Sequence, residues 1–246
     1  MLQSHEPPYE LGVIIPVYRA RQALPGLLAE LRTQLQGTSW HLFLVDDSGL
    51  QSTFEFLQTH CLDPRTSLVK LCRNSGQQNA VLCGIRTALP LCRSFLCMDD
   101  DGEHPVSLIP RLLAQLPAQN GLVYGVPDTQ SPGWRCLGSR ARNFLFTVGF
   151  HLPREITVSS FRVFTRDIGE KVAAFQGSFF YFSAVALAQR PRVSCVRYAP
   201  QQGHKASGYS MKKLAALYFK ILAYYLLQLP QKPKELYRVQ CIIEGE

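Results

Sequence analysis

The 246-residue chain is 46% apolar and 18% charged, the balance of an ordinary globular protein and not of a disordered or fibrous one. Its length suits one α/β domain with at most a small appendage, and no run of about eighteen consecutive apolar residues marks a membrane span. The net charge of +8 favours an anionic partner, whether a nucleotide, a phosphorylated substrate or a phospholipid surface; with no recognisable nucleic-acid module, nucleic acid is set aside.

Eight cysteines stand at 61, 72, 83, 92, 97, 136, 195 and 241 without a CxxC pair or a Cys–His metal spacing. Most fall in apolar segments, so reduced, buried thiols in a reducing compartment are expected. The first dozen residues hold Glu6 and two prolines and do not read as a secretory signal.

In chain order, Leu11–Val17 reads as a buried strand and Leu24–Leu35 as a helix, with apolar residues at 24, 27, 28, 31 and 35. Trp40–Val45 is a second strand, ended by Asp46-Asp47-Ser48-Gly49, and Thr53–Cys61 a second helix. Ser67–Cys72, the helix Gln77–Leu89, the strand Phe95–Met98 and the helix Val106–Leu116 complete the regular half. Strands alternating with helices imply βαβ units and a mostly parallel α/β sheet flanked by helices, whose ligands bind beyond the carboxyl ends of the strands. Beyond Gly121 the pattern is looser: a loop at Pro127–Gly133, a helix at Cys136–Phe150, a strand at Val158–Phe164 and a long amphipathic helix at Met211–Leu229. This predicts one α/β domain over 1–210, then an amphipathic helix and tail over 211–246.

The polar residues gather at the strand ends. Asp99-Asp100-Asp101-Gly102-Glu103-His104-Pro105 follows the fourth strand. Asp99 and Asp101, one residue apart, suit a hard Mg²⁺ or Mn²⁺ ion that shares its remaining positions with a diphosphate, and Glu103 lies where it would add a third oxygen. Such an ion neutralises charge on a departing nucleoside diphosphate. Asp46 reads equally as a turn cap or a nucleotide contact, and Arg73 as a phosphate contact or the partner of a neighbouring carboxylate.

Pro16-Val17-Tyr18, Val45-Asp46-Asp47, the run Arg73-Asn74-Ser75-Gly76-Gln77-Gln78-Asn79-Ala80 with Gly84, and Asp99-Asp100-Asp101 occur in the order and spacing of family 2 glycosyltransferases. More narrowly, they resemble the polyprenyl-phosphate glycosyltransferases, which include dolichyl-phosphate and undecaprenyl-phosphate sugar transferases. The resemblance implies a GT-A-type fold and a metal-dependent enzyme. It would move a sugar with inversion from a nucleoside-diphosphate sugar, UDP-linked as the first choice, to a polyprenyl phosphate such as undecaprenyl phosphate. It implies a nucleotide site with Pro16, Tyr18 and Asp47 around the base and ribose, joined by Asp46, Arg73 and Asp100.

On the acceptor side, Trp134-Arg135 with Ser139 matches the family, and an Arg and a Ser four apart on a helix share one face and could hold a phosphate. Ser159-Ser160-Phe161-Arg162 resembles the family's SxFR segment, placing Arg162 near the acceptor, and His204-Lys205-Ala206-Ser207-Gly208-Tyr209 resembles its GxSxY element, adding Lys205 and Ser207. The chain departs from the pattern at Arg19, Ala20, Pro127, Ser160 and Lys205. Since a phosphate acceptor is already anionic, a missing carboxylate at 160 favours it over a hydroxyl, which would need a general base. Met211–Leu229, with Lys212, Lys213 and Lys220 among leucines and aromatics, suits either a helix lying at the cytoplasmic membrane surface or a core, partner-subunit or homo-oligomer helix. A soluble transferase acting on a glycan or protein hydroxyl, and a nucleotide-binding protein with reduced activity, are the alternatives.

Overall fold

The computed structural model describes residues 6–18, 22–128, 145–200 and 211–245, with 211–214 as backbone only. Its first half follows the βαβ expectation: β1 (Tyr9–Val17), α1 (Leu24–Gln34), β2 (Trp40–Asp46), α2 (Gln51–His60), β3 (Thr66–Leu71), α3 (Gln77–Ala88) and β4 (Cys92–Cys97). The helix expected at Val106–Leu116 is a 3₁₀ turn at Val106–Leu108 leading into α4 (Ile109–Ala114), with Pro110 in the first turn of α4, where a missing N–H costs nothing. Then come β5 (Gly121–Pro127), β6 (Arg162–Thr165), α5 (Arg166–Ala173), α6 (Phe182–Leu187), β7 (Arg192–Tyr198), α7 (Met211–Ile221) and β8 (Val239–Glu244).

The strands form one sheet of eight in the order β7-β5-β6-β4-β1-β2-β3-β8. The block β4-β1-β2-β3 is parallel, while β6 and β8 run antiparallel to their neighbours. The chain moves outward from β1 to β3, then returns to place β4 on the other side of β1, so the crevice at the carboxyl ends of β1 and β4 is the topological switch point.

Pleat alternation sends Val13, Ile15 and Val17 against α1, α2 and α4, and Ile14 and Phe43 against α3 and the helices α5 and α6. Helix α3 lies close to the sheet because residue 84 is glycine: a Cβ there would sit 2.5 Å from Ile14 Cγ2 and 3.2 Å from Val45 Cγ2.

The second half corrects the sequence reading in several places. The strand expected at Val158–Phe164 is Arg162–Thr165. The long helix Met211–Leu229 is α-helical only to Ile221, then continues as a π-helical turn over Leu222–Leu226. The segment 239–244, assigned to a tail, returns to the sheet beside β3, and Ile221 is fully buried in the core beside α3. Of the helix expected at Cys136–Phe150, the described part is helical over 145–149.

Candidate active site at the switch point

The acidic turn leaves β4 through Gly102, whose φ of 76° is a conformation glycine adopts freely. Asp100 accepts the backbone N–H of Tyr18 at 3.0 Å, tying the ends of β4 and β1 together across the crevice. Asp101 Oδ1 accepts the N–H of Glu103 at 3.0 Å. Asp99 is the most engaged: Gln77 Nε2 donates to its Oδ1 and Ser160 Oγ to its Oδ2 at 2.7 Å. Its own backbone N–H donates to His104 Nδ1 at 3.1 Å, which puts the imidazole proton on Nε2, 3.7 Å from Asp99 Oδ2. His104 is buried, stacked on Phe161 at 4.8 Å, and burial outweighs the surrounding acids in holding its pKa below the usual value.

The acids make a strong negative field. Burial first, then Asp99, Glu103 and Asp101, push the Tyr198 phenol up to about 12. Among the described residues no three His, Cys, Asp or Glu side chains already converge on one point. An all-oxygen set of this kind fits Mg²⁺ or Mn²⁺, which bind through one or two carboxylates and take substrate phosphates and water for the rest.

Asp46 and Asp47, at the end of β2, are 1% and 2% exposed. Asp46 Oδ1 accepts both the N–H and the hydroxyl of Ser48, closing a turn, while its buried Oδ2 has no partner among the described residues. Asp47 accepts the N–H groups of Ser75 at 2.5 Å and Gly76 at 2.9 Å, and its carbonyl takes Asn74 Nδ2. It therefore fixes the loop that starts α3, where Gly76 has a φ of 91°. Burial raises both carboxyls, Asp47 to about 6, despite the two amides.

Between the start of α3, the 158–162 segment, the 178–183 segment and α7 lies a cavity of about 520 Å³. Its floor includes Gln77, Gln78, Ser159, Ser160, Ser183 and Arg162; Phe179, Phe180, Tyr181, Leu217 and Tyr218 form the apolar wall. Arg162 is 3% exposed. Its guanidinium lies 3.8 Å over the Phe182 ring and donates to the Ser159 carbonyl at 3.0 Å, while its buried Nε has no partner among the described residues. Among the described residues, the cavity lining holds no carboxylate to neutralise it.

Of the sequence-assigned residues, the fold brings Tyr18, Asp99, Asp100, Asp101 and Glu103 to the switch-point crevice, with Arg162 in the adjoining cavity. Tyr18 is 45% exposed, and Pro16 is buried in β1 opposite Val45. Arg73 is exposed on an open groove beside Lys234 and Glu235, a groove that shares Ser75, Asn79, Ser178 and Leu236 with the main cavity. Arg135, Ser139, Lys205, Ser207, Arg19 and Ala20 lie outside the described residues. Sequence reasoning gave no role to Gln77 or His104, although both stand inside the quoted motifs, and treated Ser160 only as a departure. Neither Ser183 nor the aromatic wall carried a sequence signal.

The model for glycosyl transferase family 2 matches residues 12–190. An undecaprenyl-phosphate 4-deoxy-4-formamido-L-arabinose transferase of Pectobacterium carotovorum is 30% identical over 141 residues, 55% of this chain and 42% of that protein. A dolichol-phosphate mannosyltransferase of Pyrococcus furiosus is 28% identical over 116 residues, 47% of this chain and 32% of that protein. The matches thus span less than half the length of these relatives. In overall fold the chain superposes on Mycobacterium tuberculosis glucosyl-3-phosphoglycerate synthase, solved with Mn²⁺, UDP-glucose and phosphoglyceric acid, with a TM-score of 0.65 at 14% identity, covering 91% of this chain and 82% of that one. The mannosyl-3-phosphoglycerate synthase of Rubrobacter xylanophilus gives 0.61 at 12% identity, covering 97% and 87%. With the family model matching well over half of its length, and the GT-A sheet carrying an acidic turn at the switch point, the chain belongs to glycosyl transferase family 2.

Proposed function

We propose that the chain transfers a sugar, with inversion, from a UDP-sugar to a polyprenyl phosphate, undecaprenyl phosphate being the first candidate. The observation that carries this reading is Arg162: a buried guanidinium with no carboxylate partner among the described residues, lining an aromatic-walled cavity next to Asp99. A cation held out of water is costly unless an anion joins it, and a phosphate with an apolar tail matches both the cationic floor and the apolar wall. The similar polyprenyl-phosphate transferases support the same acceptor class.

On this reading Tyr18 stacks on the base and Asp100 holds the β1–β4 crevice closed, with Pro16, Asp46, Asp47 and Arg73 shaping the nucleotide side. Asp99, Asp101 and Glu103 hold the Mg²⁺ or Mn²⁺ ion, which supplies charge neutralisation at the diphosphate. Arg162, with Arg135, Ser139, Lys205 and Ser207, binds the acceptor phosphate. An acceptor phosphate oxygen bonds to the anomeric carbon as the bond to the diphosphate oxygen breaks, and the electron pair leaves with the nucleoside diphosphate. The nucleophile is already anionic, so no base is required at position 160.

The test is a panel of radiolabelled UDP-sugars incubated with Mn²⁺ and undecaprenyl phosphate. One of them should pass its label to the organic phase, and Arg162→Gln should lower that transfer at least tenfold. Label passing only to a water-soluble glycan or protein hydroxyl would overturn the lipid-phosphate reading.

A further inference from the structure

Strands β4 and β6 are antiparallel with Cys97 opposite Arg162 and Ser94 opposite Thr165. Continued past the strand ends, that register sets Ser160 opposite Asp99, and there Ser160 Oγ meets Asp99 Oδ2 at 2.7 Å. The other oxygen, Oδ1, takes Gln77 Nε2 from the first turn of α3, whose start is itself fixed by Asp47 through the amides of Ser75 and Gly76. Two elements from opposite sides of the crevice thus grip one carboxylate, one donor on each oxygen. Both donors are neutral, and His104 lies between the Asp99 backbone N–H and its carboxylate. Neutral donors orient a carboxylate without cancelling its charge, and each carboxylate oxygen keeps a second lone pair for a further partner. Ser160 and Gln77 also line the cavity.

We infer that Ser160 and Gln77 are positioning residues that aim Asp99 for the divalent cation, the role outer partners play around metal-binding carboxylates; this rests on the reading of Asp99 as a metal ligand. Because the same two side chains line the cavity, they also connect Asp99 to it.

The experiment is a Mn²⁺ titration of the full chain followed by electron paramagnetic resonance, with metal alone as the probe, on wild type, Ser160→Ala, Ser160→Thr, Gln77→Ala and Asp99→Asn. Partners of this kind typically change metal affinity about 10- to 100-fold. Ser160→Ala and Gln77→Ala should each weaken Mn²⁺ binding at least about tenfold, Ser160→Thr should restore it, and metal-free thermal midpoints should stay together. If Asp99→Asn weakens binding but Ser160→Ala and Gln77→Ala do not, the positioning role is overturned while the metal site stands. A loss that threonine fails to restore, or one that follows a drop in the metal-free midpoint, assigns Ser160 to packing and also overturns it. If wild type binds no Mn²⁺, the metal reading falls, and this inference with it.

Discussion

Asp47 joins two functions in one side chain: it fixes the start of α3 and, through its burial, makes folding respond to pH. Its carboxyl is raised from 3.8 to about 6 because burial outweighs the amides of Ser75 and Gly76. A folded-state pKa above the unfolded value means that the protonated group favours the fold. This contribution is fully present below about pH 4 and lost as pH rises through about 6, amounting to roughly 3 kcal/mol. Asp47→Asn cannot titrate, so the wild-type minus variant difference in urea-unfolding free energy should shift by about that amount against wild type between pH 4 and pH 7. A constant difference across that range would show that the amides, not burial, govern this carboxyl. Asp101 lies at the opposite extreme, exposed on the turn with one backbone contact. Asp101→Ala should leave the melting temperature of the ligand-free chain within a degree or two, since exposed side chains away from packing contribute little. It should abolish the added stabilisation by UDP plus Mn²⁺, measured by thermal shift. Wild-type stabilisation in the variant would remove Asp101 from the metal site.

Helix α3 is where element-scale packing decides the geometry of the site, since Gln77 and Gln78 at its start line the cavity and Gly84 sets its distance from the sheet. Gly84→Ala should lower stability by about 1–3 kcal/mol through overpacking against Ile14 and Val45. Gly26, on α1, has nothing within 4 Å of an added Cβ, so Gly26→Ala should raise stability by about 0.4–1 kcal/mol by restricting the unfolded chain. Chemical denaturation of the two variants checks the contrast, and equal effects would mean that α3 has room to shift. The elements legible in the sequence were those with a single clear period, β1 to β4, α1 to α4 and α7, together with the acidic turn that follows β4. Those that were not legible lack such a period. Helix α6 (Phe182–Leu187) is buried on every side, so it shows no stripe. Strand β5 carries two glycines and a proline, β8 owes its place to a pairing with β3 across most of the chain, and β6 was expected but starts four residues later than its sequence suggests. The site divides in the same way. Local sequence marked Asp99, Asp101 and Tyr18, but the grip of Ser160 and Gln77 on Asp99 depends on the β4–β6 register and the position of α3.

Helix α7 and the turn after it connect the cavity to the outer surface of the molecule. Leu217 and Tyr218 line the cavity, Ile221 and Ala223 are buried, and Phe219, Leu222, Leu227 and Leu229 are exposed, Phe219 by 70%. Gly149 lies against Leu226, which brings exposed Val148 to the same region. Lys220 stands among these residues, and the whole chain carries +8. No described helix is long and apolar enough to cross a membrane, but an exposed apolar face with Lys220 beside it suits the headgroup layer. A polyprenyl phosphate presents its charge at that depth, so a docked α7 would set the aromatic wall of the cavity beside it. Each lysine near an anionic surface contributes on the order of 1 kcal/mol, and a buried Phe or Leu side chain about 1.5–3 kcal/mol. Together these suffice for reversible attachment. The chain should therefore co-sediment with phosphatidylserine-containing vesicles at low salt, and less so near 1 M salt, where the screening length falls to about 3 Å. Phe219→Glu combined with Leu227→Glu, both exposed and so tolerable for folding, should leave the protein in the supernatant with its melting temperature little changed. If wild type also stays in the supernatant at low salt, the exposed face of α7 belongs to a protein contact, and an acceptor that reaches the cavity through water becomes the better reading.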